Sequence, residues 1–245
     1  ISAVGALGEG SSNSLSKDTD LALAIGTKLA DFTTGSWANF ENPNFKLVSV
    51  NTTRYDTTKH LATPVISDAK VGLQKISEAL GDWKAPDDWY KRAIKEKNEW
   101  DAYVEKQSGP TNQEEPSYAH AVGAVYRNSD PSDIVVTAAG GLVGEVVQVW
   151  KPKQLNTFET EWGFSCMGYE ISGALGIKMA KPDQDVVVFV GDGSYLLNNT
   201  DIYSSVIYDQ KLIIIVCDNG GHMVINRLQL AKGGKEYICN LRAAR

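Results

Sequence analysis

Three segments of this chain are unbroken or nearly unbroken runs of β-branched apolar residues, at 134–137, 186–190 and 212–217, and each runs directly into a glycine-rich loop. A strand with one face in water alternates apolar and polar side chains, whereas a strand that is apolar at every position has both faces covered. Helical periodicities lie around and between these runs, at 118–126, 144–150, 164–180 and 200–208. Strand and helix therefore alternate, which is the pattern of a parallel sheet covered by its own crossover helices. Sheets of that kind bind ligands beyond the carboxyl ends of their strands. The loops at those ends are Ala138-Ala-Gly-Gly141, Gly191-Asp-Gly-Ser194 and Asp218-Asn-Gly-Gly221.

Glycines after a strand let backbone N–H groups approach a diphosphate closely, and a following helix N-terminus adds a favourable dipole. Two of the loops also carry hard oxygen ligands, the Asp192 carboxylate and the Asn219 amide oxygen. Together with one backbone carbonyl and two diphosphate oxygens they would nearly complete the octahedral shell that Mg²⁺ requires. Any one loop alone reads more readily as a turn, since Gly-Asp-Gly and Asn-Gly are common turn sequences. Their joint position at the ends of successive strands is what favours a site. The P-loop pattern and the Gly-x-Gly-x-x-Gly pattern of dinucleotide sites are both missing from these strand ends.

The rest of the chain divides by character. Residues 1–81 carry two candidate buried strands, 21–25 and 47–50, and a helix that starts at Ser67-Asp68, presents Leu73, Ile76 and Leu80, and stops at Gly81. Residues 82–116 begin as an amphipathic surface helix with Trp89, Ala93, Trp100 and Val104 on one stripe. They end in Ser108-Gly-Pro-Thr-Asn-Gln-Glu-Glu-Pro116, where a domain boundary is expected. Residues 117–245 form the second domain. The chain opens on Ile1 without an initiator Met and closes on 241–245 without a terminal strand or cap, so a longer polypeptide is expected.

Charge and composition exclude several partners. With 24 basic against 30 acidic side chains and no Lys/Arg-rich run, there is no footprint for nucleic acid or an anionic membrane surface. No apolar stretch approaches the roughly 20 residues that span a bilayer. The three cysteines, Cys166, Cys217 and Cys239, are odd in number and far apart, so no disulfide framework is indicated and a reducing, cytoplasmic compartment is expected.

Gly191-Asp-Gly-Ser194, followed by Asn219 at 27 positions after Asp192 and then by Gly221, resembles the thiamine-diphosphate motif of pyruvate decarboxylase, acetolactate synthase and their relatives. The resemblance implies an α/β fold, with a partial central Rossmann-like domain followed by a doubly wound parallel-sheet domain that binds thiamine diphosphate. It implies that Asp192, the Asn219 side chain and the Gly221 carbonyl hold Mg²⁺. It also implies that Gly140, Gly141, Gly193 and Ser194 contact the diphosphate, within the motif opened by Gly191. Gly163-Phe-Ser-Cys-Met-Gly-Tyr-Glu170 is similar to the family segment in which an apolar residue props the cofactor in a bent shape, here Met167. The Ser165 carbonyl stands where the family accepts a hydrogen bond from the 4′-amino group; from the residues alone, Met167 reads equally well as a core methionine.

Within the superfamily the likeness is greatest to the hydrolases that open a trihydroxycyclohexane-1,2-dione in inositol catabolism. It is carried by Leu29-Ala-Asp-Phe-Thr-Thr-Gly-Ser-Trp37, Thr137-Ala-Ala-Gly-Gly141, Phe164-Ser-Cys-Met-Gly-Tyr-Glu170 and Ile225-Asn-Arg-Leu-Gln229. It weakens at Met223, where relatives usually have Gly, and over the last fifteen residues. Glu161, Tyr169, Asn226 and Arg227 are candidates to touch a small-molecule substrate, and His222 is a candidate acid or base; a solvated or capping role is the alternative for each. In this family the glutamate that activates the cofactor lies on a pyrimidine-binding domain and acts across a dimer interface, and no such domain is recognisable here. The expectation is a fragment of a homodimer or homotetramer that binds cofactor but needs that domain, from its own polypeptide or a partner chain, to turn over. Acetolactate-synthase-like or decarboxylase activity, and a non-catalytic binding module, are the alternatives.

Overall fold

The computed structural model describes residues 3–161 and 163–241, and the chain divides into two compact units, Ile1–Tyr103 and Val104–Arg245. Residues 242–245, part of the C-terminal stretch 241–245 named in the sequence analysis, lie outside the described residues. No helix among the described residues is long and apolar enough to cross a membrane.

In chain order the first unit holds α1 (Gly10–Asp18), β1 (Leu21–Ile25), α2 (Asp31–Thr34), β2 (Lys46–Asn51), α3 (Arg54–Thr58), β3 (Thr63–Ile66) and α4 (Ala69–Leu80). Helix α5 (Asp87–Ser108) runs across the sequence division between the units. The strands form a parallel sheet in the order β1-β2-β3. The α4 boundaries follow the sequence signals: Asp68 accepts from Lys70 N and Val71 N at 2.9 and 3.1 Å, and Gly81 ends the helix with φ +54°. Two expectations change. Strand β1 is not buried throughout, because it is an edge strand: Ala24 faces the core with Leu29 and Leu47, while Leu21 and Leu23 are 52% and 42% exposed. Strand β3, for which the sequence reading offered no element, contains Pro64; it is tolerated because β3 is the opposite edge strand, where one side of the backbone needs no ladder partner.

The second unit contains α6 (Tyr118–Arg127), β4 (Ile134–Thr137), α7 (Leu142–Val149), β5 (Phe158–Thr160), α8 (Tyr169–Ala180), β6 (Val186–Gly191), α9 (Asp192–Leu197), α10 (Asp201–Ile207), β7 (Ile213–Cys217) and α11 (Met223–Ala231). Its sheet is parallel, in the order β5-β4-β6-β7. Ile134, Val136, Val186, Val188 and Val190 pack with Ile171 and Ala174 of α8 on one face. On strand β6 the alternate residue Phe189 meets Trp150, which follows α7, in an edge-on contact with centroids 6.0 Å apart. Both faces of the central strands are thus covered, as their continuous apolar sequence requires. From β4 the chain crosses to β5 on one side, and from β6 it crosses to β7 on the other. The loops after β4 and β6 therefore diverge at the topological switch point, where such sheets leave a crevice.

Strand β5 is three residues of mixed polarity, Phe-Glu-Thr, and carries no apolar run that could announce it. The helix expected over 164–180 begins only at Tyr169. Ser165 and Gly168 have φ of +53° and +99°, and Glu161 accepts from Phe164 N and Cys166 N at 2.8 Å each, so these residues form a pinned loop. Helices α9 and α11 were not anticipated, because each starts inside or directly after a loop whose glycines read as turn signals.

Candidate functional site

Residues 138–141 follow β4, residues 191–194 close β6 and open α9, and residues 218–221 follow β7. Side chains and close backbone approaches bring the three together. A Cβ on Gly193 would lie 2.6 Å from the His222 ring, and one on Gly141 would lie 3.6 Å from Val224 Cβ. These approaches join the second loop to the third, and the first to α11. Gly140 has φ +78° and open space where a Cβ would stand, so the backbone of the first loop is presented outward.

Asp192 is 3% exposed at the start of α9. Asn219 is oriented at both ends of its amide: Oδ1 accepts from Gly221 N at 3.1 Å, and Nδ2 donates to the Tyr118 hydroxyl. Gly221 forms an antiparallel bridge with Asn240. Its two hydrogen bonds run from Leu241 N to Gly220 O (2.7 Å) and from His222 N to Cys239 O (2.8 Å), so the Gly221 carbonyl is not one of the groups that make it. Carboxylate, amide and carbonyl oxygens on loops after adjacent parallel strands match the hard-donor chemistry of Mg²⁺. Among the described residues there is no group of three or more His, Cys, Asp or Glu side chains that could hold a metal ion, so a metal at these loops would depend on amide and backbone oxygens beside the one carboxylate. By donor chemistry and by the open backbone at Gly140, these residues fit a diphosphate with its magnesium ion.

The electrostatic setting is partly desolvated. Burial, and then the nearness of Cys217, push the Tyr118 pKa above the usual phenol value, against the hydrogen bond from Asn219; Asp192 raises it further and Arg227 opposes. Burial raises Glu145 on α7, with Arg227 pulling the other way. Neither Tyr118 nor Glu145 was among the sequence candidates; both sit in ordinary helical periodicity, and only the fold turns them toward the loops. Burial pushes the Cys217 thiol up to about 11. The native protein near neutral pH is therefore expected to react with iodoacetamide at exposed Cys166 and not at Cys217 or Cys239, which are buried. Peptide mapping checks this, and native labelling of Cys217 would mean that the end of β7 opens readily.

The remaining candidates separate. Both oxygens of Glu161 are committed to the 163–166 loop, and its carboxyl is held below the usual range by backbone N–H groups of Cys166 and Phe164. Ser165 is exposed on that loop, and Met167 is partly buried just before α8. Tyr169 opens α8 and packs partly buried against the sheet core. Asn226 and Arg227 are on the first turns of α11, with Asn226 Nδ2 near Met223 Sδ (3.7 Å) and Glu236 Oε2 (3.5 Å). Met223 is helical, so its position does not require glycine.

One buried group at the centre of these loops was overlooked in the sequence. Glu170 is fully buried and accepts from Ala139 N (3.1 Å), Gly168 N (2.8 Å) and Ser194 Oγ (3.0 Å). The available signal was a lone carboxylate heading the apolar, small-residue sequence 171–177, since an acid in such a setting is fully buried only when paired.

This chain belongs to the thiamine pyrophosphate enzymes: residues 138–243 match their C-terminal TPP binding domain and residues 1–76 their central domain. Among similar proteins are the 3D-(3,5/4)-trihydroxycyclohexane-1,2-dione hydrolases of Clostridium tetani and Geobacillus thermodenitrificans, 34% and 33% identical over 99% of this chain and 41% of each relative. The hydrolase of the same name from Lacticaseibacillus casei is 32% identical over 98% of this chain and 41% of that protein. The chain thus spans about two-fifths of the length of the curated relatives it matches.

Proposed function

We propose that this chain is the diphosphate- and metal-binding portion of a thiamine-diphosphate- and Mg²⁺-dependent enzyme that hydrolyses a C–C bond in a cyclic 1,2-dione. The substrate of this reading is the trihydroxycyclohexanedione of inositol catabolism, opened with one water to 5-deoxyglucuronate. Residues 1–81 are the C-terminal part of a central α/β domain, 82–116 a helical linker, and 117–245 the cofactor-binding domain. The enzyme works in the cytoplasm as a homodimer or homotetramer. The observation that carries the cofactor assignment is the meeting of the three strand-end loops, with Asp192, Asn219 and Gly221 on two of them. The substrate assignment rests on the shared name of relatives that align with almost the whole chain.

In this reading Asp192, the Asn219 Oδ1 and the Gly221 carbonyl hold the magnesium ion, and Tyr118 keeps the Asn219 amide from turning. The backbone N–H groups of Gly140, Gly141 and Gly193, with Ser194, receive the diphosphate, and Gly191 caps the helix that presents them. The Ser165 carbonyl would accept from the cofactor's aminopyrimidine, and Met167 would pack against the cofactor. Thiamine diphosphate held by these residues would supply nucleophilic addition to a carbonyl and a sink for the electron pair of the breaking C–C bond. Arg227 and Asn226 grip substrate hydroxyl and carbonyl oxygens, which suits a planar guanidinium. Glu161 serves this site indirectly, by fixing the loop that carries Ser165. The carboxylate that activates the cofactor belongs to a pyrimidine-binding domain contributed by the rest of the polypeptide or a partner chain.

Combined with that domain, thiamine diphosphate and Mg²⁺, the protein is expected to consume the trihydroxycyclohexanedione and leave pyruvate untouched, as followed by substrate depletion. Turnover of pyruvate alone would overturn the substrate assignment in favour of an acetolactate-synthase or decarboxylase activity.

A further inference from the structure

We propose that Glu170 is a positioning residue for the diphosphate cradle, its buried carboxylate locking three separate backbone segments into the arrangement that receives the cofactor. This inference rests on the cofactor reading above and goes beyond it, because Glu170 itself touches neither metal nor diphosphate in that reading. Its Oε1 accepts the Ala139 N–H from the loop after β4. Its Oε2 accepts both the Gly168 N–H, at the entry to α8, and the Ser194 hydroxyl, at the loop after β6. The Gly168 N–H is also 2.9 Å from Ser194 Oγ, so the second and third segments are tied to each other as well.

A helix-start glutamate commonly caps its own helix, and the bond to Gly168 is of that local kind. The other two are not: they cross 31 and 24 residues of sequence. Three donors converge on one carboxylate with no exposure to water, where charge-assisted hydrogen bonds are strong and a lost partner is costly. The clamp also decides which donors remain for a ligand. Ala139 N–H is turned inward to Glu170, which leaves the two following glycines, Gly140 and Gly141, to face the crevice. Ser194 spends its single hydroxyl proton on Glu170 and its Oγ accepts from Gly168 N, so its backbone N–H is the donor it has left for a diphosphate, and the clamp fixes that segment before ligand arrives.

Glu170→Gln retains the shape but offers one acceptor and one NH₂ donor where three donors converge, so Ala139 N–H or Gly168 N–H meets a donor. The measurement is thiamine diphosphate affinity in the presence of Mg²⁺, by titration calorimetry, for the unmodified protein and the variant. Each protein's melting is followed without ligand. The expected result is a dissociation constant raised at least tenfold in Glu170→Gln while the ligand-free protein still melts cooperatively. A purely structural role would lower the melting temperature and leave the affinity of the folded protein unchanged, and that outcome overturns the inference. If the unmodified protein fails to bind, the cofactor reading falls and this inference falls with it. Binding that is equal in both overturns the inference alone. Should the variant not fold, amide hydrogen exchange of the unmodified, ligand-free protein decides: Ala139 N–H is expected to be strongly protected, and exchange as fast as Gly140 would overturn the clamp.

Discussion

Asp192→Ala is expected to remove most of the stabilisation that thiamine diphosphate and Mg²⁺ confer. A ligand that binds only the folded state stabilises it by about 2.7 kcal/mol at a concentration a hundred times its dissociation constant. For a chain of this size that corresponds to a rise of roughly 5–11 °C in melting temperature. Asp192 is the sole carboxylate of the proposed metal shell, and Mg²⁺ sites of this type rely on one or two carboxylates plus substrate phosphates. A hundredfold loss of affinity would leave only about 0.4 kcal/mol at the same ligand concentration, a residual shift of roughly 1–2 °C. EDTA added to the unmodified protein should have the same effect, because in the proposed site the diphosphate would be held largely through the metal. A differential scanning experiment with four samples checks this: both proteins, each with and without ligand. An unchanged shift in Asp192→Ala, or one that survives EDTA, would remove the metal assignment.

Gly221→Ala should be the most destabilising of the glycine substitutions in these loops, by about 3 kcal/mol. Its φ is +143°, a region that side-chain-bearing residues rarely adopt, and an added Cβ would lie 2.2 Å from the Cys239 carbonyl oxygen. That atom is backbone and is already bonded to His222 N, so it has no flexible end to move aside. The bridge between Gly221 and Asn240 must then open, and the loop that carries Asn219 shifts with it. Gly176 is the internal contrast. It lies in α8 with nothing within 4 Å of an added Cβ and no positive φ, so Gly176→Ala should stabilise by about 0.5–1 kcal/mol through helix propensity. Urea unfolding of the two variants measures both. A Gly221→Ala protein as stable as the parent would show that the bridge has no energetic consequence.

Much of the second unit was legible because its central strands are read directly from composition along the chain. Residues 134–136 and 186–190 are apolar at every position, and the structure buries them on both faces. The same rule overreached at β1, where Leu21 to Ile25 is equally apolar yet lies at a sheet edge with two leucines in water. Apolar content reports what a strand can tolerate; its neighbours are a property of the sheet. Strand β5 and the start of α8 were illegible for a related reason. Three residues of mixed polarity become a strand through pairing with β4, and residues 163–168 stay out of the helix because Glu161 claims the Phe164 and Cys166 N–H groups and Glu170 with Ser194 claims that of Gly168.

The site shows the same division. By itself the sequence determined the residue types and their spacing: glycines at strand ends, a carboxylate and an amide 27 positions apart, and hence the family. Only the tertiary structure decided which groups meet. The order β5-β4-β6-β7 makes the loops after β4 and β6 diverge at one crevice, and it brings Gly193 against His222 from the loop after β7. It also assembled what no local pattern announces, the Tyr118 hydroxyl on Asn219 and the Glu170 carboxylate joining Ala139, Gly168 and Ser194. Strand pattern and loop chemistry are local properties that a sequence carries in order. The convergence of donors on one buried carboxylate depends on positions up to 31 residues apart, whose separation in space is set only when the sheet forms.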